Sequence, residues 1–473
     1  MDSVFNMNRR SLLKGSLAAG VLLPMTNSIY SLAEGEVNLL QRHSDAARIV
    51  KHGPLINFEQ AYKVMHQENL DGLIVSEPTN LFYLTGYYDH LGFRFDSPTM
   101  FALLSKDENK PVSIVMNQFI YYFCVADSNF EWKPDVFLFT GWDRRAEESV
   151  ASDRGLEPKA SAPVTWRNKN EVPISKLELN RLRNLTKTLD AITESADINW
   201  ALSKALRSLG LQKGTVGIDN SVIKHSIDSL GLNTKTVEGE HALRKIKVVK
   251  SEREIELMRY AAQSNAEASL AAVKQVRAGA TYHDLKAIYF GECAARGCAP
   301  KLLQINTVNS EIFNKDFKDG DAFAIDGVSQ HFHYTGDYGR TIFLGEPSKS
   351  MKRATEAISI GWDAVREAVR PGVRYSEIRS LGRDAIKKAG YDFGVPVTPH
   401  SVGLSHTDEP GKNGPGALWQ KDDLVLQENM VISVDMPVLN TGIGGSAHLE
   451  DLTLITKDGG EQINDVGDRI VIV

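Results

Sequence analysis

The chain is 473 residues long, with 42% hydrophobic residues, 24% charged residues and a formal net charge of −6. That length accommodates two or three domains with sizeable cores, and the composition is that of an ordinary globular protein. Lys and Arg are scattered rather than massed, which gives no footprint for nucleic acid or for an anionic membrane surface, so neither is expected as a partner.

The first residues read as an address label. Asn8-Arg9-Arg10-Ser11-Leu12-Leu13-Lys14 is a paired-arginine segment, residues 15–25 are a short apolar run, and Ser31-Leu32-Ala33 offers small residues for a signal peptidase. The pattern over residues 1–33 resembles a twin-arginine export signal and implies a periplasmic or secreted protein that acquires its cofactor before crossing. The apolar run is too short to span a bilayer and no later segment is long enough, so no transmembrane helix is expected. Of the three cysteines, Cys293 and Cys298 fit neither one helical face nor a Cys-x-x-Cys motif. One disulfide with one thiol left over is allowed, and all three, Cys124 included, read as structural.

After the export segment, residues 57–67 carry Phe58, Ala61, Tyr62 and Met65 at helical spacing. Asp71-Gly-Leu-Ile-Val-Ser reads as a buried strand, Asn80-Leu-Phe-Tyr-Leu-Thr-Gly as the element after it, and residues 100–104 and 112–116 as further strands. Residues 144–171 are polar and read as an exposed excursion. Residues 177–209 are helical with a break at 197–199, and Gly214-Thr-Val-Gly-Ile-Asp219 is another strand. Alternation of this kind predicts an α/β domain over residues 36–236. A second domain, 237–473, opens with Ser251-Glu-Arg-Glu254, a capping box ahead of a long amphipathic helix. A helix over 282–296, a hairpin, helices over 350–369 and 375–389 split by Pro371-Gly372, and a return to strands complete the chain. The helix–helix–strand order on either side of Pro347 hints at an internal repeat.

The hairpin organises this half. Phe323 and Ile325 alternate with Ala322, Ala324 and Asp326; a polar loop through His331, His333 and Asp337 leads to Thr341-Ile-Phe-Leu. If the hairpin closes, Asp326 and Asp337 meet with both carboxylates on one side, and two anions that close need a cation or a shared proton. His400 opens His-Ser-Val-Gly-Leu-Ser-His406-Thr-Asp-Glu-Pro. Asp435 shares a face with Val431 and Ser433, and Glu450 with Leu452 and Leu454. An acid on the apolar side of a strand is costly unless it is paired or bound to metal. Four carboxylates and one imidazole form an oxygen-rich set for one or two harder divalent ions, Mn, Fe, Co or Zn. No P-loop or dinucleotide fingerprint is present, and Gly336 and Gly339, which flank Asp337, read as residues of tight backbone turns.

The order Asp, ten residues, Asp, then His, an acid and a final Glu resembles the pita-bread superfamily, which includes methionine aminopeptidase, prolidase, aminopeptidase P and creatinase. Leu243-Arg-Lys-Ile-Lys-Val-Val-Lys-Ser-Glu-Arg-Glu-Ile is similar to the phrase that opens the catalytic domain of prolidase-like members. Asp71-Gly-Leu-Ile-Val and Asn80-Leu-Phe-Tyr-Leu-Thr-Gly resemble the creatinase-type N-terminal domain. The resemblance implies a creatinase-like N-terminal α/β domain followed by a pita-bread α+β catalytic domain, and a homodimer. It implies Asp326, Asp337, His400, Asp435 and Glu450 as metal ligands. It also implies a metallohydrolase of the Xaa-Pro dipeptidase or aminopeptidase P type, in which a water held between the ions attacks a peptide carbonyl and Asp435 or Glu450 shuttles the proton. Short peptides would be the substrates.

Three departures stand out. The place of Asp435 is normally Glu, one methylene longer. No histidine lies between Gly291 and Asp321, where the peptidases carry one. The second substrate-contacting histidine of the family falls at Thr407, with His406 one step early. His406 is the candidate replacement, with His333 a second; His331 and His333 otherwise read as a solvated hairpin tip. His90 and Arg94 are expected to reach an active site across the dimer. The departures leave two alternatives open: a creatinase-like hydrolase or lyase of a non-peptide small molecule, and a non-catalytic binding protein with a degenerate metal site.

Overall fold

The computed structural model describes residues 41–95, 97–128, 131–140, 157, 160, 172–306, 308, 310–411, 422–439, 442–464 and 466–473. The expected export signal lies outside these residues, as does the polar excursion apart from Glu157 and Ala160. Ala46–Val473 form one compact unit.

The first half of this unit is built on a mixed sheet of β1 (Gly72–Val75), β2 (Met100–Ser105), β3 (Ser113–Asn117), β4 (Asp135–Phe139), β5 (Thr215–Ile218) and β6 (Lys235–Glu238), in the order β4-β3-β2-β1-β5-β6. β1/β2 and β2/β3 are antiparallel; the remaining pairs are parallel. Alternate residues feed two cores. Ile74, Phe101, Leu103, Val115 and Phe137 pack on one face. Leu73, Val75, Ala102, Leu104, Ile114 and Met116 pack on the other. Both faces are therefore covered by helices, which is why β1 reads as an unbroken apolar run. The covering helices are α1 (Phe58–Gln67), α2 (Pro78–Thr85), α3 (His90–Phe95), α4 (Lys176–Ala191), α5 (Ile198–Ser208), α6 (Ser221–Ser229) and α7 (Glu240–Lys247). The segment Asn80–Thr85 belongs to α2, started by Pro78 in its first turn and stopped by Gly86 at φ 74°. The sheet runs through Glu238, so its last strand straddles the expected boundary at 236/237.

The second half follows the helix–helix–strand order twice. α8 (Glu252–Val273), α9 (Tyr282–Ala295), β7 (Ala299–Ile305), β8 (Ala322–His331) and β9 (Tyr334–Phe343) come first. α10 (Lys349–Ala368), α11 (Tyr375–Lys388), β10 (Thr398–Ser401), β11 (Val431–Val438), β12 (Ala447–Leu449), β13 (Leu452–Thr456), β14 (Gly459–Gln462) and β15 (Ile470–Ile472) complete the chain. The strands make one sheet in the order β15-β9-β8-β7 and another in the order β10-β11-β13-β14, with β12 paired to β11. The two sheets meet where Gly339 and Glu450 exchange backbone hydrogen bonds of 3.2 and 3.1 Å.

α8 starts at the predicted capping box: Ser251 accepts from the Glu254 amide, and Glu254 accepts from the Ser251 amide. Its buried stripe, with Met258, Ala261, Ala262 and Asn265, lies on the β8–β9 hairpin. Gly336 is what lets it approach, since a Cβ there would collide with the Ala261 carbonyl oxygen. Gly336 and Gly339 thus serve close approach inside β9, not turns. The hairpin tip is not solvated either. Phe332 and His333 take φ values of 46° and 68°, the left-handed pair of a tight hairpin turn. His331 is buried. The His333 ring stacks on Tyr88 at 4.0 Å and meets Phe82 edge-on at 4.5 Å. Cys293 and Cys298 are buried free thiols, pushed by burial up to about 11 and about 12, and Cys124 is exposed and free.

Glu254 is itself enclosed, with Tyr334 donating to its other oxygen at 3.2 Å, and burial pushes it up to about 8. The folded chain therefore holds a proton at Glu254 that the unfolded chain releases near the ordinary carboxylate pKa of about 4.3. This contribution to stability is complete below that value and is lost as pH rises to about 8. Glu254→Gln, which keeps an oxygen for the Ser251 amide, should unfold at a temperature that gains on the wild type by about 2 °C or more between pH 5 and pH 9. Thermal melts across that range test this, and a constant difference would mean that Glu254 stays ionised.

Candidate metal centre

Strand register alone gathers the acids. Asp326 pairs with Gly339 and Val328 with Asp337 across β8–β9, so the two aspartates share a face, offset by one pleat. Thr398 pairs with Asp435 and His400 with Ser433 across β10–β11, which places His400 and Asp435 on one face in the same diagonal relation. Met436 pairs with Leu449, so Asp435 stands beside Glu450, and Glu450 pairs with Gly339. One continuous row, Asp326–Gly339–Glu450–Asp435, thus crosses the seam between the sheets, with Asp337 and His400 in the next row.

His400 Nε2 stands 3.4, 3.5 and 3.7 Å from oxygens of Asp435, Glu450 and Asp337. Those separations exceed a good charge-assisted hydrogen bond of about 2.7–2.9 Å. They are close to the spacing of atoms that share one cation, because ligands about 2.1 Å from an ion stand about 3.0–3.4 Å apart. Asp326 Oδ1, Asp337 Oδ1, His400 Nδ1 and Glu450 Oε2 are buried with no hydrogen-bond partner. Buried polar atoms left that way are costly. Oxygens and an imidazole converging in this manner fit a divalent ion.

The electrostatics agree. Burial and the charge of Asp337 push Asp326 up to about 7. Burial, with Asp337, Asp435 and Asp326 around it, holds Glu450 well above the carboxylate range. Asp435 goes the other way: burial opposes ionisation, but hydrogen bonds and charge from His400 and His448 hold it well below. Without a cation this cluster must keep protons, because its negative charge is in excess.

Other side chains complete the pocket. His406, half-exposed, folds back so that Nε2 lies 3.2 Å from Asp337 Oδ2 and its ring stacks on His400 at 4.9 Å. Burial would lower its pKa, but Asp337 raises it to about 9. The one-residue offset in the sequence therefore still delivers an imidazole to the cluster. His448, which was not among the residues expected at the site, contributes another: Nε2 is 3.3 Å from Asp435 Oδ1 and 3.5 Å from Glu450 Oε2. The signal was present, since His448 and Glu450 are two apart in extended chain and must share a face. His333 is taken up by its stack on Tyr88, Arg94 is exposed, and the side chain of His90 lies outside the described residues.

The frame behind the ligands is polar and enclosed. Buried Arg340 donates to the Glu450 carbonyl at 2.8 Å and pairs with buried Asp451 at 2.7 Å. Asn464 donates to the Asp337 carbonyl, and the Ser433 hydroxyl to Glu450 Oε1 at 2.6 Å. Next to His400, Ser401 donates its hydroxyl to Asp408, which pairs with buried Lys250 at 3.3 Å.

Residues 256–457 match the model of metallopeptidase family M24, and residues 58–152 match the creatinase/prolidase N-terminal domain. A curated Xaa-Pro dipeptidase from Pyrococcus furiosus is 24% identical over 271 residues, 53% of this chain and 73% of that protein. Among solved structures, an Xaa-Pro dipeptidase from Bacillus anthracis superposes with a TM-score of 0.62 at 18% identity, covering 88% of this chain and 99% of the other. An X-Pro aminopeptidase from Thermotoga maritima superposes with a TM-score of 0.59 at 17% identity, over 88% and 99% of the two chains.

Asp337→Asn removes a charge from the centre of the cluster while the Asn464 contact to its backbone remains. The variant should keep its far-UV dichroism, lose at least half of its bound metal on elemental analysis, and fall in hydrolytic rate by about a hundredfold or more. Undiminished metal content and rate would place the site elsewhere.

Proposed function

We propose, for a chain with the fold of the pita-bread superfamily, that the seam between the two C-terminal sheets hydrolyses the bond before proline in short peptides. The chain is a metal-dependent hydrolase of the Xaa-Pro peptidase type. The observation that carries this reading is the convergence of Asp326, Asp337, His400, Asp435 and Glu450 on one face, with buried acceptor atoms left unsatisfied. These five side chains would hold one or two divalent ions, with Mn, Co, Zn and Fe the candidates. When bound, such ions supply Lewis acidity toward the scissile carbonyl and lower the pKa of water.

The chain's own residues do the rest. Glu450 has one oxygen occupied by the Ser433 hydroxyl and the other, Oε2, open toward the cluster. Oε2 is therefore positioned to take the proton of the attacking water and return it to the departing proline nitrogen. Asp435, the more exposed of the two acids, flanks the same space and can share that transfer. His406, at the rim with one edge on Asp337, is placed to contact the substrate beside the scissile bond. His333 ties the hairpin to Tyr88, and so sets the position of the segment carrying His90 and Arg94, which we assign to the substrate-binding wall, reached across a homodimer. The similar proteins from Pyrococcus, Bacillus and Thermotoga are dipeptidases and an aminopeptidase. The alternatives, a non-peptide substrate and a degenerate binding site, are not favoured.

Incubation of metal-loaded protein with Ala-Pro, Met-Pro, Ala-Ala and creatine, with Mn, Co or Zn, should release proline from the first two and leave the others at least about tenfold slower. Turnover of creatine alone would reverse the substrate assignment. Export is a separate proposal, supported by Arg9-Arg10 and the apolar run behind them. Replacing both arginines with lysine should retain the protein in the cytoplasmic fraction, and equal periplasmic recovery of both forms would overturn it.

A further inference from the structure

The second imidazole at the seam does more than pair with Asp435. Gly339 provides the room for it, since a Cβ there would stand 2.7 Å from both Cε1 and Nδ1 of His448. Thr341 fixes its backbone, accepting from the His448 amide at 2.9 Å and donating to the His448 carbonyl at 3.1 Å. The ring thereby lies against β9 at Gly339, with Nε2 turned toward Asp435 and Glu450. There Nε2 lies 3.5 Å from Glu450 Oε2, and a ring nitrogen of His448 and carboxylate oxygens of Asp326 and Glu450 all lie within 4.8 Å of one another. Asp326 Oδ1 and Glu450 Oε2 are buried with no hydrogen-bond partner, and Glu450 as a whole is 1% exposed. His400, Asp435 and Glu450 make another such group, which shares Glu450 with the first.

We propose that His448 is a metal ligand, which with Asp326 and Glu450 forms a second ion position beside the one that His400 serves. This rests on the seam being a metal centre. The centre then offers an imidazole at each of two positions instead of one imidazole in all. The physical reason lies at residue 435. An aspartate there, one methylene shorter than the glutamate expected from the resemblance, has less reach to bridge two ions, and the His448 nitrogen, 3.3 Å from Asp435 Oδ1, adds a donor beside it. A nitrogen donor also changes what the position prefers. Carboxylates alone suit Mn or Mg, whereas an added imidazole favours Zn, Fe, Co or Ni.

The experiment strips the full-length protein with chelator and titrates it with Co(II), following stoichiometry by elemental analysis and ligand field by visible absorption. The wild type should take two ions. His448→Gln should keep the first, bind the second about tenfold or more weakly, and lose the part of the visible spectrum that the second ion contributes. Competition with Mn(II) should show a preference for Co(II) at the second position that disappears in the variant. Two ions bound by His448→Gln with wild-type affinity and spectrum would reduce His448 to a partner of Asp435 and overturn the proposal, as would a wild type that takes only one. A wild type that takes none overturns the metal-centre reading itself.

Discussion

Four carboxylates facing one another across a sheet seam are the constraint to which the C-terminal half answers. The Gly339–Glu450 backbone pair joins the two sheets and also sets Glu450 between Asp326 and Asp435. Like charges at this separation in a buried setting repel strongly and cannot all ionise without positive charge among them. The three histidines supply part of it, and protons held by Asp326 and Glu450 offset more. A divalent ion would replace both protons and hydrogen bonds. The fold thus gathers negative charge that a divalent cation would neutralise.

Holding such a cluster open requires a frame that does not collapse onto it. Arg340 with Asp451, and Lys250 with Asp408 and Ser401, are buried ion pairs directly behind the ligands. Buried pairs of this kind contribute little net stability, because desolvation offsets most of their attraction. What they provide here is position. Arg340 fixes the carbonyl of Glu450, and Ser401, held by Asp408 and Glu409, fixes the residue after His400. Breaking either pair would leave a buried charge alone next to the cluster, which is the costly event.

The layer order and most element positions were legible because period and punctuation were clean. The capping box at Ser251, the alternation around Asp326 and the Pro-Gly break at 371–372 each specify a local structure whatever surrounds them. The co-facing of Asp326 and Asp337 came from the pleat alone. What stayed hidden depends on partners far along the chain. Gly336 and Gly339 suggested turns, yet their small size serves α8 and His448, neither of which is near in sequence. The tip carrying His331 and His333 suggested solvent, because two polar rings at a loop usually find it; here His331 is buried, and Tyr88 and Phe82, some 250 residues earlier, cover His333. His448 stayed hidden for a different reason. Its spacing from Glu450 carried the same information as the spacing of the aspartates, but a single ring in an apolar strand does not betray the acids that only the sheet seam brings to it.

That tip also decides how the two halves of the unit relate. Leu73, Val75, Leu81 and Leu104 from the first half share one core with Ala261, Ala262, Tyr334, Val402 and Leu452 from the second. Asn57 and Gln60 on the first side donate to the carbonyls of Val249 and Lys245, and Ser251 donates back to that of Leu55. A shared apolar core opposes independent movement of the halves. The β8–β9 hairpin is therefore held at two places: at Gly339 by the sheet seam and at its tip by the N-terminal half. Asp326 stands opposite Gly339 at the seam, and Asp337 lies between the seam and the tip. The N-terminal half thus packs on the tip of the hairpin that bears both aspartates, which makes it part of the scaffold of the candidate metal centre.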